Sequence, residues 1–143
     1  MKITKKGLLT MGILLGILLT LPTTISQNTD TTTIEIVNIS GGLGGVTVDV
    51  ENTGDAVAND IWVITTITGG ILGNIDLTHE CTGCSACGTT LAPGAIKSEN
   101  SAEAGLLLGF GPIEITTSAG ASNANEVSME TSGTLLGLLA LLQ

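Results

Sequence analysis

Arginine and tyrosine are missing from this chain of 143 residues, and only two aromatic side chains occur, Trp62 and Phe110. Four residues are basic, and Lys2, Lys5 and Lys6 crowd the first six positions. Beyond them Lys97 alone faces 13 carboxylates, a formal net of −12. Nucleic acid is held by neutralising its phosphates with Lys and Arg, and an anionic lipid surface attracts the same side chains. One lysine can serve neither, so both partners are excluded for the mature chain. Sugar-binding and adaptable binding surfaces lean on several exposed rings. Two aromatics cannot build that platform, and one or both are expected in the core. The three cysteines are one short of an iron–sulfur ligand set. The single histidine, His79, has no G-x-S-x-G or other nucleophile motif to serve, and no enzymatic activity is expected.

What is present begins with "MKITKKGLLTMGILLGILLTLPTTISQ". After the three lysines, Leu8 to Leu21 is an uncharged, mostly apolar run, and Thr24 and Ser26 offer small side chains for a cut before Gln27. Fourteen helical residues reach about 21 Å, short of the roughly 30 Å of hydrocarbon a spanning helix must cross, and Pro22 ends the run. Residues 1–26 therefore read as a cleaved signal helix and 27–143 as one domain. "KKG" followed by "LLTMG" also resembles the processing site of archaeal pilin-like precursors, which keep the apolar run as an assembly helix. Either way the protein is expected outside the cell, secreted or on the cell surface.

The rest is written in period two. In "VTVDVEN" (46–52) three valines alternate with Thr47, Asp49 and Glu51, the mark of a half-buried strand. "TTTIEIVNI" (31–39), "DIWVITTIT" (60–68), "ILGNIDLT" (71–78), "GPIEITTSA" (111–119) and "VSMETS" (127–132) read likewise as strands. "GGLGG", "NTGD", "APGA" and a polar loop "GASNANE" (120–126) supply turns. Nowhere do apolar residues recur at helical spacing over three turns. The expected fold is all-β, a single immunoglobulin-like antiparallel β-sandwich.

The order "VTVDVENTGDAVANDIWV", "LAPGAIKSE", "GPIEITTSAGASNANEV" resembles CARDB-like domains, immunoglobulin-like modules of prokaryotic surface proteins. The similarity covers roughly residues 34–132 and rests on turn chemistry, an N-x-G turn and an L-x-P-G turn. It implies a fold and says little of function. The chain also resembles small secreted archaeal proteins of this architecture. It departs from the pattern in lacking aspartates between Ser118 and Asn125 and in carrying a cysteine cluster.

That cluster, "HECTGCSAC", supports three readings, a metal site, a redox centre and a disulfide staple. The redox one lacks a thioredoxin-like βαβ context around its C-x-x-C. His79, Cys81, Cys84 and Cys87 form a Cys₃His set of the kind zinc takes, although structural zinc sites draw ligands from two separate segments. An exported protein meets an oxidising medium, which favours a disulfide. On a strand, residues three apart lie about 10 Å apart on opposite faces, beyond bridging reach. A hairpin with "TGCSA" as its loop brings Cys81 to Cys87, the expected disulfide. A bridge within C-T-G-C or C-S-A-C needs a turn instead.

Asp49, Glu51, Asp55 and Asp60 gather along one strand and its turn and are candidate calcium ligands, although no EF-hand spacing accompanies them and a solvated strand face is the simpler reading. Asn38-Ile39-Ser40 is a glycosylation sequon at Asn38. The end, "GTLLGLLALLQ" (133–143), is too short to span a bilayer. It reads as a final core strand or as one paired with another subunit, since leucines in pairs cannot all face one core. The expectation is a non-enzymatic cell-surface or extracellular structural module without cofactor, self-assembling into filaments by strand addition or partnering other surface proteins. The alternative is an extracellular module binding calcium or zinc.

Overall fold

The alternating stretch 46–52 forms a strand that buries Val46, Val48 and Val50 and leaves Thr47, Asp49 and Glu51 half-exposed. The same rule runs through the computed structural model, which describes residues 31–82 and 89–143. The expected signal at 1–26 lies outside the described residues. Ten strands follow in chain order: β1 (Ile34–Gly41), β2 (Val46–Asn52), β3 (Ala58–Asn59), β4 (Trp62–Gly69), β5 (Ile75–Thr82), β6 (Thr90–Leu91), β7 (Ile96–Asn100), β8 (Gly109–Ala121), β9 (Ala124–Gly137) and β10 (Leu139–Leu142). They make a three-stranded sheet, β1-β2-β7, and a five-stranded sheet, β10-β9-β8-β4-β5, with a short β3–β6 pair between connections. Every pairing is antiparallel, and the sheets bury one core between them, an all-β sandwich. Among the described residues no helix is long and apolar enough to cross a membrane.

Two asparagines, buried Asn52 and exposed Asn123, lock the connections. Asn52 is fully buried; its Nδ2 donates to the carbonyls of Ala56 (2.8 Å) and Leu91 (2.9 Å), and its Oδ1 accepts from Gly54 N–H (3.1 Å). The Gly94 amide donates to the Asn52 carbonyl (2.8 Å), so the N-T-G and L-A-P-G turns are tied through one residue. A buried amide is tolerated only when its donors and acceptor are satisfied in this way. Asn123 sits in a two-residue turn between β8 and β9. Its Nδ2 donates to Thr32 Oγ1 and to the Val57 carbonyl, and its Oδ1 accepts from Asn59 N–H, all at 2.9 Å. The polar loop expected at 120–126 is therefore a tight turn, closed by bonds to residues more than sixty positions away.

Three further expectations change. The strand expected from 71 begins at Ile75, because Gly70, Leu72 and Gly73 hold left-handed φ of 76°, 66° and 69° and form a 3-10 turn. The C-terminal run is not one strand but the end of a hairpin, reversing at Gly137 (φ 70°) so that Leu139 pairs with Leu136. Neither aromatic fills the core. Phe110 is 60% exposed, and half-buried Trp62 lies on the outer face over Gly120, where a Cβ would strike the indole.

The two open sides of the sandwich are finished differently. Where β1 meets β10, backbone closes the gap: Ala140 N–H donates to the Gly42 carbonyl (3.0 Å) and Gly44 N–H to the Leu138 carbonyl (2.6 Å). Gly41 lies so close that a Cβ would overlap the Ala140 carbonyl oxygen. On the other side, where β5 faces β7, no backbone hydrogen bond joins the two strands among the described residues. Side chains fill that gap.

Candidate functional site

The side chains in that gap are charged. On β7 the alternation is inverted: Ile96 is 59% exposed, while Lys97 and Glu99 point inward beside Val50 and Val48 of β2. Inward charges on an edge strand discourage pairing with other chains. Lys97 Nζ lies 3.0 Å from Glu99 Oε1, an ion pair whose side chains are 15% and 5% exposed. Across the gap, β5 points Ile75, Leu77, His79 and Cys81 inward. His79 Nε2 lies 3.9 Å from Glu99 Oε2, too far for a hydrogen bond, and this buried nitrogen has no hydrogen-bond partner among the described residues.

Glu103 completes the group from a 3-10 turn (Ser101–Glu103) that follows β7. That turn is fastened to β2. The Ser101 hydroxyl accepts from Val46 N–H (2.9 Å), and Asn100 donates to Thr47 Oγ1 (2.9 Å) while capping Ala102 N–H (2.8 Å). One ligand-type atom each from His79, Glu99 and Glu103 lies within 4.8 Å of the others, the one group of His, Cys, Asp and Glu among the described residues that converges this closely. Polarity continues inward from His79. Register places His79, Thr65 and Thr117 in one row across β5, β4 and β8, and the two buried threonine hydroxyls share a hydrogen bond at 3.3 Å.

Of the zinc set read from the sequence, His79 therefore faces two carboxylates. Cys81 is buried two residues further along the same face and is disulfide-bonded, so it offers no thiolate. Cys84 and Cys87 lie outside the described residues, and with them the expected Cys81–Cys87 pairing. The calcium candidates do not converge. Asp49 lies on the outer face of β2, where Ser98 Oγ and Asn38 Nδ2 donate to its carboxylate. Those two bonds, Ser98 first and then Asn38, hold its pKa below the ordinary 3.8 against a small opposing effect of burial. Glu51 faces Glu35 across β1–β2, Asp55 binds the Thr31 amide, and Asp60 holds a left-handed turn with φ 49°. Asn38 is exposed, and the Nδ2 that a glycan would modify donates to Asp49 (2.9 Å).

Lys97, Glu99 and Glu103 carry no signal in any motif. The trace they leave is "IKSEN" itself, a strand whose charged residues occupy every second position and so share one face. A second feature, also distributed in sequence, is apolar. Pairings Leu43–Leu139, Leu139–Leu136 and Leu136–Phe110 set four side chains in one row at the end of the sandwich, 79%, 41%, 51% and 60% exposed. No protein-family model and no curated protein matches the chain.

Proposed function

We propose that the protein is a secreted, non-catalytic module of a prokaryotic cell surface, CARDB-like in kind and archaeal in affinity, that packs against copies of itself. The observation that supports it most is the row Leu43–Leu139–Leu136–Phe110, about 15 Å of exposed apolar side chains at a strand spacing of roughly 4.8 Å. Contiguous apolar surface of this kind marks contact with a neighbour, whereas scattered leucines do not. Strand addition by the C-terminal run has less room, because Leu138 and Ala140 already spend backbone groups on Gly44 and Gly42. The contact it offers is a face.

Without residues 1–26 and their three lysines the chain carries one basic residue against 13 acidic, a net of −12 that repels its copies. Salt screens that repulsion over about 10 Å at 0.1 M and 3 Å at 1 M. Sedimentation velocity of the exported protein tests the reading. Association should grow with concentration and from 0.1 to 1 M NaCl, and Leu136→Ser with Leu139→Ser should leave a folded monomer. A wild-type monomer under both conditions refutes self-association. Protein sequencing of the exported form should begin at Gln27; a start at Leu8 would favour the pilin-like leader.

A further inference from the structure

We propose that His79 Nε2 and the carboxylates of Glu99 and Glu103 bind one divalent transition-metal ion of the zinc class, bridging β5 to β7 across the open side of the sandwich. The reading goes beyond the self-associating module and stands or falls without it. The first support is the orphaned nitrogen. A buried polar atom without a partner forfeits its hydration, and native proteins rarely leave one so. The His79 side chain is only 8% exposed, and its Nε2, 3.9 Å from Glu99 Oε2, has no hydrogen-bond partner among the described residues. Edge protection by inward charge accounts for Lys97 and Glu99 but leaves this nitrogen unexplained.

The second support is distance. Zinc holds imidazole nitrogen and carboxylate oxygen at about 2.0–2.2 Å, so two ligands of one tetrahedral ion stand about 3.4 Å apart. The His79–Glu99 separation of 3.9 Å must close by about half an ångström to meet that geometry, a small side-chain adjustment. Glu103, exposed on its short turn and within 4.8 Å of the others, needs a movement of up to about 1.4 Å, which rotation of an exposed side chain supplies. Three protein ligands leave a coordination position for water from the solvent side, where Glu103 lies. Lys97 does not block the ion, because its ammonium holds Glu99 Oε1 and leaves Oε2 toward the imidazole. It fixes the carboxylate's orientation, as outer-shell partners of metal ligands commonly do.

Ligand type decides the class of ion. Neutral imidazole suits zinc, copper, iron and nickel, whereas calcium and magnesium take oxygen donors in larger number. Cys81 supplies no thiolate to this site, since it is disulfide-bonded. The acidic surface raises the local concentration of any cation.

The chain's single histidine gives an unambiguous readout. The purified full chain, kept non-reducing, is titrated with zinc chloride while the imidazole nitrogens are followed by nitrogen-15 NMR, and stoichiometry is measured by equilibrium dialysis. One zinc per chain should bind, Nε2 should shift on binding, and calcium chloride should leave it unmoved. Glu103→Gln, an exposed change that leaves the core untouched, should weaken zinc at least tenfold; His79→Gln should abolish it; Glu130→Gln, an exposed control on β9, should change nothing. Absence of a one-to-one complex, a zinc complex that leaves Nε2 unmoved, or affinity indifferent to Glu103→Gln would each overturn the proposal.

Discussion

The two open sides of this sandwich solve one problem by opposite means. Where β1 meets β10 the sheets are joined by main-chain bonds at Gly42, Gly44, Leu138 and Ala140, and glycine at position 41 allows the approach. Where β5 meets β7 the strands stay apart, and Lys97, Glu99, His79 and Glu103 fill the gap. The first closure is independent of pH, salt and ligand, because it rests on neutral groups bonded to one another. The second is built from groups whose energy depends on partners, and a buried charge is tolerated only while its partner is present. Rigid closure on one side leaves the other free to carry chemistry.

The largest effect is expected on the backbone side. Gly41→Val sets side-chain atoms against the Ala140 carbonyl and should cost about 3 kcal/mol, the upper end for overpacking, read as a shift in the urea midpoint. A change under about 1 kcal/mol would mean that the closure is not tight. On the charged side, Glu99→Leu deprives Lys97 of the carboxylate 3.0 Å away and should destabilise by about 2 kcal/mol. Adding Lys97→Leu should recover most of that loss, since replacing a buried pair by apolar residues is often neutral. Equal loss in the double variant would show that the pair itself stabilises the gap.

Asp49→Asn, outside both closures, should move stability by about 0.5 kcal/mol or less. The sign follows from the lowered pKa of Asp49. Its contribution is present above the unfolded value near 3.8 and fades as pH falls through the lower native value. The difference between wild type and Asp49→Asn should therefore vanish in strong acid; a difference that grows there would reverse the assignment.

Much of the fold was legible because period-two alternation is a local signal. The three valines of β2 announce their face, and the N-T-G and A-P-G turns announce reversals. What escaped was set by distant partners. Asn123 reads as one more loop asparagine until Thr32, Val57 and Asn59 converge on it. The leucine pairs foretold a run that could not lie in one core, but not the hairpin at Gly137 that divides it between the end of β9, where Leu135 is fully buried and Leu136 exposed, and β10. The candidate site was half legible. His79 stands out beside the cysteines, while Glu99 and Glu103 come from a strand and the 3-10 turn after it, twenty or more residues on, where no motif marks them.

Amide hydrogen exchange, with and without zinc, compares the two sides in one experiment. Locally opened regions lose protection well before the structure unfolds globally. The amides of Ala140 and Gly44 should exchange only through global unfolding and by the same mechanism in both conditions, whereas the amides of β5 and β7 that point away from their sheets should exchange through local opening and slow when zinc is added. Equal protection on both sides without zinc, or zinc slowing neither β5 nor β7, would contradict the division of the sandwich into one side closed by backbone and one closed by charge.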